Sequence, residues 1–111
     1  MLRESHTAVV ARNETWSGAC ATEPYEAGWA SEAVIFMRTL SSSGLSSAIK
    51  LQVQISPDGI RWLDEGSTLL LPDVVDGLSV ARVKHFGNWL RVSGTLSSGA
   101  TAKVLVTLHL K

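Results

Sequence analysis

The pattern of apolar and polar positions is sharpest between residues 49 and 62. Ile49, Leu51, Val53 and Ile55 alternate with Lys50, Gln52 and Gln54, and a period of two buries one face of a β-strand while wetting the other. Ser56-Pro57-Asp58-Gly59 follows. Proline there presets φ, aspartate bonds the nearby backbone and glycine accepts positive φ, which together reverse the chain. Trp62 returns just past the turn as a large aromatic anchor. The alternation recurs at the end of the chain, where Val104, Val106, Leu108 and Leu110 oppose Lys103, Leu105, Thr107 and His109.

The same reading predicts strands over residues 7–12, 15–21, 33–40, 62–65 with an extension over 68–71, 80–85 and 89–93. Val34-Ile35-Phe36-Met37 is apolar on both faces, so that strand is central or covered on its second side. Residues 23–31 form a loop, 41–47 a Ser/Gly loop, and 72–77 a loop compatible with a short helical turn. Roughly eight short strands with a turn about every ten residues are the signature of a sandwich or barrel. The expected fold is therefore all-β: a single antiparallel β-sandwich over residues 7–111, jelly-roll-like or immunoglobulin-like, preceded by an arm over residues 1–6. Thr39-Leu40-Ser41-Ser42 with Gly44 is echoed by Thr95-Leu96-Ser97-Ser98 with Gly99. The echo fits two ordinary hairpins with flexible tips, or two hairpins at equivalent places in a two-sheet sandwich.

Composition narrows the function. The chain has 111 residues, 45% hydrophobic and 18% charged, with formal net charge +0, which suits one globular domain with its own core. Without a Lys/Arg cluster there is no electrostatic grip for nucleic acid, and without a long apolar run no membrane span is expected. Met1-Leu2-Arg3-Glu4-Ser5-His6 lacks the apolar core of a signal peptide. Cys20 is the sole cysteine, so an intrachain disulfide and a multi-cysteine zinc site are both excluded. With no basic neighbour in sequence it is expected to be a buried, inert thiol.

Candidate chemistry is sparse. His6, His85 and His109 are scattered and form no zinc signature. No serine occupies a G-x-S-x-G elbow. Asp64 and Glu65 are adjacent, so on a strand they point to opposite faces and cannot act as a catalytic pair. Asp58-Gly59, or Asp73 with Asp76, could touch calcium, but that ion needs six to eight oxygens, and turn chemistry explains them better. Asn13-Glu14-Thr15 matches a glycosylation sequon, expected to be idle without a signal peptide. No catalytic, metal or cofactor-binding residue is assigned. The four tryptophans are many for this length. Trp62 and Trp89 begin strands after turns and are expected to anchor the core. Trp29, in the Pro/Gly loop, is the best candidate for exposure and partner contact.

Ala33-Val34-Ile35-Phe36-Met37, Leu51 through Gly59 with Trp62, Trp89-Leu90-Arg91-Val92, Gly94-Thr95 and the closing alternating strand form an ordered series. From about residue 27 onward the chain resembles small β-sandwich structural proteins of tailed bacteriophages and prophages, of the head-decoration or accessory type. The Ser-Pro-Asp-Gly-x-x-Trp turn alone also occurs in discoidin-like and other carbohydrate-binding sandwiches. The resemblance implies a virion component assembled in the host cytoplasm, with a major shell protein and copies of itself as partners and no catalytic residue. Interface contact is expected from Trp29, Tyr25 and the arm, through Leu2, Arg3 and His6. Three rivals stand beside this reading: a carbohydrate-binding or adhesin module, a small hydrolase, and a self-assembling tail or fibre subunit. A carbohydrate-binding module needs exposed Trp29 or Trp16 beside polar groups. A hydrolase needs His85 or His109 against a serine or carboxylate.

Overall fold

A computed structural model describes residues 6–111 and shows two antiparallel sheets packed face to face. The strands are β1 (His6–Ser17), β2 (Ala19–Ala21), β3 (Tyr25–Glu26), β4 (Glu32–Ser43), β5 (Ile49–Ser56), β6 (Leu63–Leu71), β7 (Leu78–Lys84), β8 (Trp89–Thr95) and β9 (Thr101–Leu110). The first sheet runs β1-β9-β4-β7 and the second runs β2-β8-β5-β6, with β3 also on β8. The pairs are nested: β1 with β9, β2 and β3 with β8, β4 with β7, β5 with β6. One long antiparallel hairpin rolled over on itself gives this order, which is the jelly roll and not the immunoglobulin arrangement.

The core lies between the sheets and follows the alternation. On β9, Ala102, Val104, Val106, Leu108 and Leu110 are buried, and Leu51 and Val53 of β5 face them from the other sheet. Ile35 and Met37 of β4 point inward, whereas Val34 and Phe36 lie half-buried on the outer face. The strand that is apolar on both sides is thus central, as its sequence implies, but no element of the described chain lies over its second face. β9 is paired on both sides, and the Lys111 N–H and C=O are bonded to Glu32.

Bulges explain where the strand boundaries differ from the sequence reading. The segments 7–12 and 15–17 are one strand, shifted in register around Val10 and Asn13, the latter at φ 52°. β6 absorbs 62–65 and 68–71 through a shift around Gly66. Ser41–Ser43 extends β4 past a shift at Leu40. Residues 72–77 form a turn closed by a Gly77 N–H bond to the Val74 carbonyl, with no helix. The echoed Ser/Gly segments are not hairpins. Each carries the chain from one sheet to the other, and they lie side by side at the upper end, where a Cβ on Gly44 would meet the Gly99 carbonyl oxygen at 3.1 Å.

β2 and β3 lie end to end along the border of β8, leaving a gap at residues 22–24. Thr22 closes it: its N–H bonds the Val92 carbonyl at 2.9 Å and its hydroxyl accepts from the Val92 N–H at 3.0 Å. A buried backbone donor that a continuous strand would have satisfied is met by one side chain.

Candidate functional site

The lower end of the sandwich gathers part of the expected interface. Trp29 is 54% exposed in the β3–β4 loop, and its ring meets His6 edge-on with centroids 5.0 Å apart. His6 begins β1 opposite Leu110 and so belongs to the sheet. Leu2 and Arg3 lie outside the described residues. Tyr25 pairs with Leu90 and packs half-buried against the core.

The Pro57-Asp58-Gly59 turn forms as its residue types dictate. The Ser56 hydroxyl accepts from the N–H groups of Asp58 and Gly59, and Asp58 Oδ1 accepts from those of Ile60 and Arg61 at 2.9 Å. These backbone bonds, first Arg61 and then Ile60, hold the Asp58 carboxyl below the usual aspartate range. Gly59 sits at φ +77° against the Trp89 ring, 3.2 Å from where a Cβ would stand. Asp58 is thus occupied by the turn, and Asp76 by a bond to Arg38 Nη2 at 2.7 Å.

The tryptophans require a correction. Among the described residues the core tryptophan is Trp16, which is 4% exposed. Trp62 and Trp89 are half-buried and lie outside the core. They stand on the outer face of the second sheet because their parity matches Gln54 and Arg91, not Leu51 and Leu90. The Arg91 guanidinium lies 4.3 Å from the Trp62 ring centroid. Arg91 Nε donates to Gln54 Oε1 at 2.8 Å, and Gln54 Nε2 donates to Asp64 Oδ1 at 3.0 Å. Desolvation under this cover lowers the Arg91 pKa from its ordinary value, which still leaves the guanidinium charged at neutral pH.

The third region is apolar, and the sequence reading passed over it. β6 borders the second sheet and β7 the first, and the Ser79 hydroxyl donates to the Leu70 carbonyl where they meet. Among the described residues, every large exposed hydrophobic except Val9 and Trp29 falls between Ile60 and Val80. Leu63 and Leu70 project from β6, Val74 and Val75 from the turn, and Leu78 and Val80 from β7, with Leu78 at 65% exposure. Parity holds the signal: Leu70 pairs with outward Lys50, and Leu78 with outward Arg38.

The remaining titratable candidates are dispersed. The His109 Nδ1 lies 3.3 Å from the Thr7 hydroxyl, and its ring meets Phe36 edge-on. His85 is exposed just past β7 at φ 54°. Cys20 is partly buried, directs Sγ to the Gly94 carbonyl at 3.5 Å, and burial pushes its thiol up to about 11.

No family model matches the chain, and no curated protein matches its sequence. Among solved structures, the SPBc2 prophage-derived protein YomS is similar, with a TM-score of 0.63 over 99% of this chain and 96% of that one, at 11% identity. The two share a fold.

Proposed function

We propose that this chain is a non-enzymatic structural component of a phage-like particle, a capsid-decoration or accessory protein that adheres to the shell and to neighbouring copies. The observation that carries this reading is the apolar border formed by β6 and β7. Exposed apolar side chains gathered along one edge of a sandwich are what a protein interface uses. Full burial of a leucine or valine side chain contributes roughly 1.5–3 kcal/mol. Leu70, Val74, Val75 and Leu78 each retain half or more of their exposure, so each offers on the order of 1 kcal/mol against a partner. Together they can offset a substantial part of the entropy lost on association. The fold shared with a prophage-derived protein supports the phage setting.

The test is co-sedimentation with particles purified from the strain that encodes the chain. Wild type binds saturably. Leu70→Asp/Leu78→Asp keeps its melting temperature, because both side chains are exposed, yet stays in the supernatant. Equal binding by the double variant, or no binding by wild type, overturns the proposal.

A further inference from the structure

The outer face of the second sheet carries features that adhesion through the β6–β7 border does not use. The Arg91 guanidinium stacks on the Trp62 ring, and the indole remains partly exposed. Arg91, Gln54 and Asp64 form a connected chain from β8 through β5 to β6, with bonds of 2.8 and 3.0 Å. Arg91 has spent only Nε, so its terminal amino groups have no protein acceptor among the described residues. Asp64 has received one bond on Oδ1, leaving acceptor capacity on the same carboxylate. Beside Arg91 lies a shallow, open depression whose lining includes Ala19, Ala21, Ser93 and Thr95.

We propose that this face binds a neutral, hexopyranose-bearing glycan. An aromatic ring fixed flat on a sheet offers an apolar platform for the C–H face of a sugar ring, because its π-surface is apolar while its rim is polar. Sugar hydroxyls are both donors and acceptors, and Arg91 and Asp64, at the two ends of one chain of hydrogen bonds across three strands, supply donors and acceptors to different hydroxyls. The charges of that pair cancel, which selects against strongly acidic or basic ligands. The bond to Gln54 and the stack on Trp62 hold the Arg91 fork in place before any ligand arrives, so little side-chain freedom remains to be lost. Ser93 adds a hydroxyl two residues along the same face of β8, and the small side chains beyond it leave room for a second sugar unit. The carbohydrate reading thereby moves from Trp29 and Trp16 to Trp62: Trp16 is in the core, and Trp29 lies in a loop at the lower end.

The proposal is independent of shell attachment and is tested on the purified full chain. An array of immobilised neutral and acidic glycans is probed first, and each bound glycan is then titrated in solution by tryptophan fluorescence. We expect binding to neutral hexose-terminated glycans that persists in high salt. Trp62→Ala weakens it by about tenfold or more, Trp62→Phe retains an intermediate affinity, and Trp29→Ala matches wild type. Melting temperatures measured alongside show whether each variant is folded. Absence of any bound glycan, binding confined to acidic glycans and abolished by salt, or Trp62→Phe and Trp62→Ala both within about twofold of wild type would each overturn it.

Discussion

Gly94 lies on the inward face of β8 opposite Cys20, and the space its missing side chain would fill is taken by Leu51. A Cβ there would overlap Leu51 Cδ2 outright and stand 3.5 Å from its Cγ. The sign of Gly94→Ala is a contest between two effects. Gly94 has no positive φ, so alanine is acceptable to the backbone and would gain about 0.4–1 kcal/mol by restricting the unfolded chain. Overpacking a close-packed interior costs about 1–3 kcal/mol. The steric effect wins because Leu51 is 0% exposed and has no solvent to swing into. The net loss should be on the order of 1–2 kcal/mol, which for a chain of this length lowers Tm by roughly 4–9 °C. A double-mutant cycle followed by thermal and urea denaturation isolates the cause. Leu51→Ala alone costs about 2–5 kcal/mol. In the Gly94→Ala background the new methyl occupies the vacated space, so the pair falls short of additivity by about 0.5–3 kcal/mol. Additivity within about 0.5 kcal/mol, or a Gly94→Ala protein as stable as wild type, would refute the packing argument.

Other consequences are equally direct. Thr22→Val leaves the buried Val92 N–H without its side-chain acceptor and should cost about 1–3 kcal/mol in urea unfolding. Gly59→Ala meets both a φ of +77° and the Trp89 ring, so it should destabilise by about 1–2 kcal/mol, with altered Trp fluorescence. Because the folded-state pKa of Asp58 is depressed, its contribution is present above the unfolded-state value near 3.9 and is lost as pH falls through the lower folded value. The Tm of wild type should therefore drop more steeply below about pH 4 than that of Asp58→Asn, which has no carboxyl to protonate. Cys20, with its thiol raised to about 11 from an ordinary 9.0, holds about a hundredfold less thiolate at pH 8. A disulfide reagent should label the native protein correspondingly slower than the urea-unfolded chain.

Local physics in the sequence reached the two-sheet fold but not its finer geometry. The alternation in β5 and β9 is a direct record of sheet faces, and the Ser56–Gly59 turn forms from the residue types it contains. Bulges leave no comparable trace. Asn13 at φ 52° lets one strand continue where its parity breaks, so two predicted segments are one. A place at the start of a strand after a turn does not say which face Trp62 and Trp89 take; parity puts Trp89 with Arg91 on the outer face and leaves the core to Trp16. Trp62 finds Arg91, 29 positions further along the chain, a contact set by the pairing of β5 with β8 and invisible in local pattern. Leu70, Leu78 and Val80 were present in the sequence as apolar residues at outward strand positions. What brings them to one edge of the sandwich is the meeting of the two sheets at Leu70 and Ser79, a tertiary fact.

Adhesion to a particle is the claim on which the functional account rests. Particles released by inducing the strain that encodes the chain, purified on a density gradient and analysed by quantitative mass spectrometry, test it most directly. The account predicts the chain in the particle band at a fixed ratio to the major shell protein, with Leu70→Asp/Leu78→Asp displaced to the soluble fractions. A wild-type chain found entirely in the soluble fractions would contradict it.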